Sequence, residues 1–251
     1  MSGLLLHLSG PLQSWGTRSD WNVRDTLSYP SRSGLVGMLA AALGHKRHEP
    51  LTRYAALEFA IRIDRPGQII VDFQTVGGGR PREESPLLAN GQHRPAGKGT
   101  IVSERYYLSD AAFTVAVMHD SEELIDELET ALSAPKYGVH LGRRSCPPAA
   151  PLVVGRSDDP VAELLYRVPI AREKPHGDDH VAVELVAERP PPGGGPSRSE
   201  TATTRPISFA GPRAHEPHTT WRTTHLIPIE LCGGIGSSYV DALIDYRYLT
   251  S

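Results

Sequence analysis

The sequence predicts an α+β fold with a split βαβ core, a long inserted arm and a small C-terminal β appendage. Apolar segments with the periodicity of strands and helices alternate along the first 155 residues. A stretch rich in glycine and basic residues interrupts them, and a second stretch rich in proline and glycine divides the remainder. We therefore expect a core over residues 1–155, which includes the arm at 77–103, and a partly flexible, β-rich region over 156–251.

The first two predicted elements are a strand and a helix. Leu4–Leu8 is a short, continuous apolar run, which is typical of a buried strand. The helix has apolar residues at positions i, i+3, i+4, i+7 and i+8, counted from Leu35. Ser31 or Ser33 can cap its N-terminus, and Gly44 can end it.

The next segment predicts a β-hairpin followed by the arm. Apolar and polar residues alternate from Leu57 to Asp64, the turn 65–67 follows, and Gln68–Thr75 reads as a second strand. The arm, Gly77–Ser103, contains six glycines, three prolines and four basic residues. Because it has almost no apolar periodicity, we expect it to be exposed.

A strand and a helix resume after the arm. Ala111–Met118 predicts the strand, and Asp120 is placed to cap a helix that ends before Pro135. Another strand is predicted near Leu152. The order of strand, helix, hairpin, strand, helix and strand fits a ferredoxin-like core with insertions.

The last third of the chain predicts two further strands. These are Val181–Ala187 and Thr220–Leu231, and the stretch Arg189–Glu200 between them is rich in proline, glycine and serine. Such a composition favours a flexible connection. We therefore expect a small β appendage that is only partly ordered.

Charge is distributed unevenly along the chain. The 251 residues include 26 basic and 29 acidic side chains, and the net charge of −3 argues against a protein that coats nucleic acid without specificity. Residues 1–109 hold 13 basic and 9 acidic side chains, whereas residues 110–251 hold 13 and 20. A nucleic-acid surface should therefore lie on the first half, together with the later pair Arg143 and Arg144.

Several classes of protein are disfavoured by composition. The only cysteines, Cys146 and Cys232, are too few for a disulfide framework or a cysteine zinc cluster. No apolar run approaches the roughly 20 residues of a membrane span, and no signal-peptide pattern begins the chain. We expect a cytoplasmic protein with no membrane partner, no cofactor and no bound metal.

The start of the first helix is a candidate phosphate site. Ser31, Arg32 and Ser33 place two hydroxyl groups and a guanidinium beside the free N–H groups of a helix N-terminus. The alternative is an ordinary capped helix with an arginine on its surface. Spacing alone favours that alternative.

The loop 141–147 is a second candidate site. Gly142 allows another backbone to approach closely, and Arg143 and Arg144 are suited to paired phosphate contacts, with Ser145 as a further donor. Two adjacent arginines can also belong to an ordinary solvated surface.

Two other segments contain side chains typical of RNA binding. In the loop after the first strand, Gln13 could bond a base edge and Trp15 could stack on a base, although Trp15 could equally pack under the sheet. The arm contributes Lys98, and its return contributes Arg105 and Tyr107, a combination of basic and aromatic groups suited to single strands. A disordered, solvated loop is the alternative for the arm.

Three sequence motifs resemble the Cas-five family of the CRISPR surveillance complex Cascade, type I-E. They are GPLQSWG at 10–16, YPSRSGLVGMLAAALG at 29–44 and LGRRSCP at 141–147. The resemblance extends from about residue 4 to residue 152. It implies a ferredoxin-like core of the RRM and RAMP type, in which the arm is a thumb that lies over guide RNA.

The resemblance also implies a function and a set of partners. Proteins of the family bind the five-prime handle of the CRISPR RNA (crRNA), cap the backbone filament and contribute to antiviral defence without catalysis. The implied partners are the handle, the backbone subunit CasC, the large subunit CasA and, through the complex, target DNA. The helix entry and the loop 141–147 would be the handle-binding sites.

An enzyme is the alternative. In a related CRISPR subtype the corresponding protein cleaves precursor crRNA without metal, with a cluster of Tyr, Lys and His side chains as general acid and base. His93, Lys98 and Tyr106 are the nearest candidates in this chain. They lie in or beside its least regular segment.

Overall fold

The computed structural model describes residues 1–17, 22–88, 90–95, 97–190, 196–211 and 213–250. It has an α+β fold, as predicted. In chain order the elements are β1 (Ser2–Ser9), β2 (Leu12–Gln13), β3 (Val23–Arg24), α1 (Arg32–Leu43), β4 (Glu58–Arg65), β5 (Gln68–Val76), β6 (Ile101–Ser109), β7 (Ala112–His119), α2 (Glu122–Ser133), β8 (Val153–Ser157), α3 (Pro160–Tyr166), β9 (His180–Ala187), β10 (Ser197–Ser208), β11 (Ala214–Pro228) and α4 (Ser237–Thr250).

The main sheet has seven strands in the order β10-β11-β9-β4-β7-β1-β8, and neighbouring strands are antiparallel. Helices cover both of its faces. On β1, Leu4, Leu6 and Leu8 pack in one cluster with residues of α1 and α2, while Leu5 packs in a second cluster with residues of α3 and α4. Because both faces are buried, β7 is apolar over nearly its whole length, whereas β4 also contains the charged residues Arg62 and Asp64.

The predicted hairpin over residues 57–75 is wrong in its pairing, although both strands exist. β4 lies between β7 and β9, whereas β5 pairs with β6 in a second, smaller sheet that also contains β2 and β3. Three apolar residues on β4, Phe59, Ile61 and Ile63, join the main core, whereas β5 is largely exposed. The predicted arm therefore connects the two strands of a hairpin, and its last three residues belong to β6.

Local capping signals are observed at both main helices. The Ser31 hydroxyl accepts from the Gly34 amide at 3.3 Å, so it is Ser31 that caps α1, and Gly44 ends the helix with a φ of 79°. At α2 the cap is Ser121, whose hydroxyl accepts from the Leu124 amide at 3.2 Å, and not the predicted Asp120.

The strands of the last third extend the main sheet, because β9 pairs directly with β4. They form no separate sheet, contrary to the predicted appendage. β10, α3 and α4 were not predicted from the sequence. Of the stretch expected to be flexible, residues 191–195 lie outside the described residues and 197–200 begin β10. A domain boundary at residue 155 stays a prediction.

A buried ion pair lies between the sheet and α3. Arg62 on β4 is fully buried, and its Nε donates to Oδ1 of Asp64 at 2.5 Å. Its guanidinium also donates to the backbone carbonyls of Leu164, Val168 and Pro169. Arg62 therefore donates to three carbonyls at and after the end of α3, of which that of Pro169 also accepts from the Tyr239 hydroxyl at 3.3 Å.

Over the residues that the structure describes, no helix is both long enough and apolar enough to cross a membrane.

Candidate nucleic-acid interface

The loop 141–146, here called the Gly142 loop, is a tight turn held against the loop that follows β1. The Leu141 amide donates to the Cys146 carbonyl at 2.7 Å, and the Ser14 amide donates to the Leu141 carbonyl at 3.0 Å. Gly142 has a φ of 90°, and a β-carbon at this position would lie 1.7 Å from the Ser14 carbonyl oxygen. Only glycine fits here, so the two loops are in direct backbone contact.

Arg143 links the Gly142 loop to the smaller sheet. Its guanidinium donates to the carbonyls of Tyr106 at 3.1 Å and Arg24 at 2.9 Å, and lies 4.6 Å from the centroid of the Tyr107 ring. The Arg143 guanidinium is therefore already engaged by three groups of the protein. Arg143 is a positioning residue that holds the loop in place.

Arg144 and Ser145 lie on the exposed side of the same loop. Arg144 makes no hydrogen bond or ion pair with the residues that the structure describes. The Ser145 hydroxyl lies 3.5 Å from that of Tyr107. The loop thus presents one free guanidinium and one hydroxyl to solvent, supported from below by Arg143 and Tyr107.

Gln13 and Trp15 are not on the surface, which corrects their predicted roles in base contact. Gln13 is fully buried, and its amide donates to the carbonyls of Leu8 and Ala111 at 3.1 and 2.8 Å. Its side-chain oxygen accepts from the Trp15 indole at 3.0 Å. Both side chains therefore stabilise the loop from inside, and Trp15 packs against Gly34 of α1.

The helix entry is also less accessible than predicted. Arg32 is 4% exposed, forms an ion pair with Glu188 and donates to the carbonyls of Tyr54 and Ala55 at 3.2 and 3.1 Å. Its charge is compensated within the core and is not available to a phosphate in this conformation. Ser31 and Ser33 remain at the helix N-terminus, but the Ser31 hydroxyl is buried and serves as the cap. This contrast leaves the Gly142 loop as the better supported of the two sites.

Glu188 is the carboxylate that fixes Arg32. Burial alone would raise the pKa of this carboxyl, but the hydrogen bond from His218 and the charge of Arg32 outweigh burial and hold the pKa below its ordinary value. The Phe59 amide also donates to Glu188 at 3.2 Å. Through these contacts Glu188 links Arg32 of α1, Phe59 of β4 and His218 of β11 in the core.

Glu188→Gln should destabilise the protein by about 3 kcal/mol at neutral pH, because it leaves a buried guanidinium unpaired. A carboxyl with a lowered folded pKa stabilises the fold above its unfolded pKa, about 4.3, and loses this effect as pH falls through the folded pKa. The difference from wild type should therefore shrink below about pH 4.3. Urea unfolding midpoints of both proteins, taken over a pH series, measure this stability difference. A difference that stays constant through that range would contradict the assignment.

The arm positions are exposed to different degrees. Lys98 is exposed, Arg105 on β6 is partly buried, and Tyr107 is only 4% exposed because the Arg143 guanidinium lies over its ring. Tyr107 therefore supports the Gly142 loop and is not open to a stacked base. Lys98 lies in the segment that connects β5 and β6, and Arg105 lies on β6 opposite Asp72 of β5.

The proposed catalytic cluster is not assembled by any contact in the described part of the chain. His93 Nδ1 lies 3.0 Å from the Ser85 carbonyl, within the segment that connects β5 and β6. Tyr106 lies on β6 opposite Val71, and its carbonyl accepts from Arg143. Within the same described residues, no group of three or more His, Cys, Asp or Glu side chains could hold a metal ion.

Cations without carboxylate partners are concentrated in the loops of the first 145 residues. After residue 155 most arginines of the described ranges are ion-paired with a glutamate or aspartate: Arg156, Arg167, Arg189, Arg198, Arg205 and Arg222. Before it, outside the arm segment, the exposed cations without such a partner are Arg24, Lys46, Arg47, Lys136 and Arg144. Lys46 and Arg47 were not among the residues predicted from the sequence, although they lie in a run of four consecutive His, Lys and Arg residues at 45–48.

Comparisons with known proteins match this chain over most of its length. A family described as CRISPR-associated protein (Cas_Cas5) matches residues 3–220. The Cascade subunit CasD of Escherichia coli strain K12 is 37% identical over 178 residues, which are 67% of this chain and 78% of CasD.

Two solved structures are also similar. A chain of one described as a CRISPR RNA-guided surveillance complex has a TM-score of 0.88 and 41% identity, over 98% of this chain and 99% of that one. A crystal structure of a Cas protein has a TM-score of 0.64 and 31% identity, over 93% and 98%. From the extent of the family match, this chain belongs to the Cas-five family of CRISPR-associated proteins.

Proposed function

We propose that this chain is a non-catalytic subunit of a type I-E Cascade that binds the five-prime handle of crRNA and caps the backbone filament. Its relatives include a Cascade subunit and a chain of an RNA-guided surveillance complex, which supports the assembly. The proposed partners are the handle, the backbone subunit CasC, the large subunit CasA and, through the complex, target DNA. The proposed location is the cytoplasm.

The observation that carries this proposal is the construction of the Gly142 loop. Its backbone touches Ser14, Arg143 fixes it to Tyr106 and Tyr107, and Arg144 remains free at its tip. Among the described residues, the guanidinium of Arg144 has no hydrogen bond or ion pair to give up when it binds a phosphate, and the loop that carries it is already held in place by Gly142 and Arg143. Such a loop is suited to bind a phosphodiester backbone and lacks a nucleophile with its base.

The strand order supports the finer fold assignment. In the main sheet, β4, β7, β1 and β8 are consecutive neighbours, and α1 and α2 cover one face of them. This order is the one expected of a ferredoxin-like core of the RRM and RAMP type, made from βαββαβ, and it supports our assignment of that fold. We assign the hairpin β5–β6, with its connecting segment, as the thumb that lies over the RNA.

Arg144→Ala should weaken binding of the handle RNA without changing the melting temperature, because the side chain supports no other contact. Loss of one phosphate contact on a single strand lowers the slope of log affinity against log salt by about 0.7. Fluorescence anisotropy at several salt concentrations measures the slope. Arg213→Ala, an exposed arginine of the last third, is the matched control and should keep the wild-type slope.

Arg143→Ala should differ from Arg144→Ala by also lowering stability, by about 2 kcal/mol, because charged hydrogen bonds to two carbonyls are lost. If Arg144→Ala kept the wild-type affinity and salt slope, the Gly142 loop would not be part of the RNA interface.

In the same experiments the RNA should stay intact on a denaturing gel, with or without divalent metal. Specific cleavage abolished by His93→Ala or Lys98→Ala would favour an endoribonuclease.

A further inference from the structure

A second group of cations lies where α1 ends, apart from the Gly142 loop. Two segments meet there: the turn 45–49 that follows α1, and the segment 134–140 that follows α2. The amides of Lys136 and Tyr137 donate to the carbonyls of Ala42 and Ala41, at 2.9 and 3.2 Å. The two segments are therefore fixed to each other through the last turn of α1.

The stem of Lys136 lies directly over Gly44. A β-carbon built at Gly44 would lie 2.1 Å from Cδ of Lys136, so the absence of a side chain at Gly44 makes room for this lysine. Lys46 and Arg47 follow within three residues and are both exposed. Their position brings three cations to one end of one helix.

These cations lack the acidic partners found elsewhere on the protein. Lys46, Arg47 and Lys136 form no ion pair with the described residues. The one carboxylate of the turn, Glu49, is engaged by His45 at 3.0 Å and by the Lys46 amide at 3.1 Å. The cluster therefore keeps most of its positive charge.

An exposed aromatic ring accompanies the charges. Tyr137 is 49% exposed beside Lys136, and the chain runs from there through Gly138 and His140 into the Gly142 loop. Basic side chains with an open aromatic ring are the combination that binds single-stranded nucleic acid by phosphate contact and stacking. A helix C-terminus also attracts cations through its dipole, but that effect acts on helix stability alone.

We propose that Lys46, Arg47, Lys136 and Tyr137, here called the α1-end cluster, form a second site for a phosphodiester backbone. It is continuous along the chain with the Gly142 loop and extends the proposed RNA surface, so it rests on the proposed function. Two nucleic acids could supply the phosphates, namely the crRNA handle and the target DNA held by the complex. The chemistry recognised is the same in both.

The test compares two triple variants of the full-length chain. Lys46→Gln, Arg47→Gln and Lys136→Gln together remove three charges of the cluster, and Lys136→Gln keeps the Cβ and Cγ of the stem that lies over Gly44. Lys174→Gln, Arg198→Gln and Arg213→Gln remove the same charge from exposed positions of the last third. Salt-dependent anisotropy with handle RNA, and with target duplex DNA in reconstituted Cascade, is measured for both variants and for Arg144→Ala.

We expect the cluster variant to lower the log-log salt slope either for the handle RNA, by about 2, or for the duplex DNA, by about 3, and the control variant to leave both slopes unchanged. A loss confined to RNA identifies the handle as the source of the phosphates, and a loss confined to the complex with DNA identifies the target. Wild-type slopes in both assays overturn the inference, even if Arg144→Ala is impaired and the proposed function stands. A lower melting temperature with unchanged slopes assigns these cations to the helix dipole and also overturns it.

Discussion

Gly142→Ala should separate the Gly142 loop from the loop after β1 and reduce handle binding at least to the level of Arg144→Ala. Two effects act together at this position. A φ of 90° strains any residue with a β-carbon, at a cost of about 1–3 kcal/mol. In addition, the β-carbon would lie 1.7 Å from the Ser14 carbonyl oxygen, and backbone atoms on both sides would have to move.

Gly177→Ala is the matched control for this change. Gly177 has a φ of 86° but no atom within 4 Å of an added β-carbon, so the variant has the same backbone strain without the steric overlap. Urea unfolding and handle affinity are measured for both. Gly142→Ala should be clearly less stable and bind more weakly, whereas Gly177→Ala should lose only a little stability. Equal results for the two variants would mean that the contact with Ser14 has no role in the interface.

Arg62→Met should destabilise the protein strongly, by about 3–5 kcal/mol. Arg62 is fully buried, and the substitution leaves the Asp64 carboxylate without its ionic partner. It also removes the donor to the carbonyls of Leu164 and Val168 and one of the two donors to that of Pro169, so the cost includes unsatisfied buried carbonyls. The free energy of unfolding in urea is the measurement.

Arg167→Met is the control for Arg62→Met. Arg167 pairs with Glu163 at 3.0 Å on the surface of α3, and its side chain is 56% exposed. A pair of this kind contributes about 0.3–0.5 kcal/mol. If both variants lost stability by similar amounts, the buried network would have to be regarded as nearly neutral for stability.

Elements with local signals were predictable from the sequence. The first helix has an apolar stripe between a serine cap and a glycine stop, and the structure places both ends as these signals indicate. Strand pairing was not predictable in the same way. The turn at 65–67 favours a hairpin of β4 with β5, but β9 is more than a hundred residues away and competes successfully for the edge of β4. An apolar strand that can be buried on both faces gains more there than the exposed β5 would provide.

In the candidate site, too, features with a local signal were predictable, whereas contacts between distant parts of the chain were not. The importance of Gly142 could be predicted, because a glycine between a leucine and two arginines allows another backbone to approach closely. The role of Arg32 could not be predicted, because Arg32 pairs with Glu188, a residue of the last third of the chain that the sheet brings close to α1. The alternation of Arg62 and Asp64 with apolar residues is typical of a strand with one exposed face. Helices α3 and α4 cover that face, and α4 was overlooked although Tyr239, Leu243 and Tyr246 have helical spacing.

The pairing of β4 with β9 has a consequence for synthesis on the ribosome. The edge of β4 stays open after Arg65 is made, until His180–Ala187 has left the exit tunnel. At typical bacterial and eukaryotic rates of synthesis this interval is on the order of ten seconds. During it, the nascent chain exposes an apolar strand edge of the kind that chaperones bind and that promotes aggregation. Production of the intact subunit is therefore expected to depend on chaperone supply more than its modest size suggests.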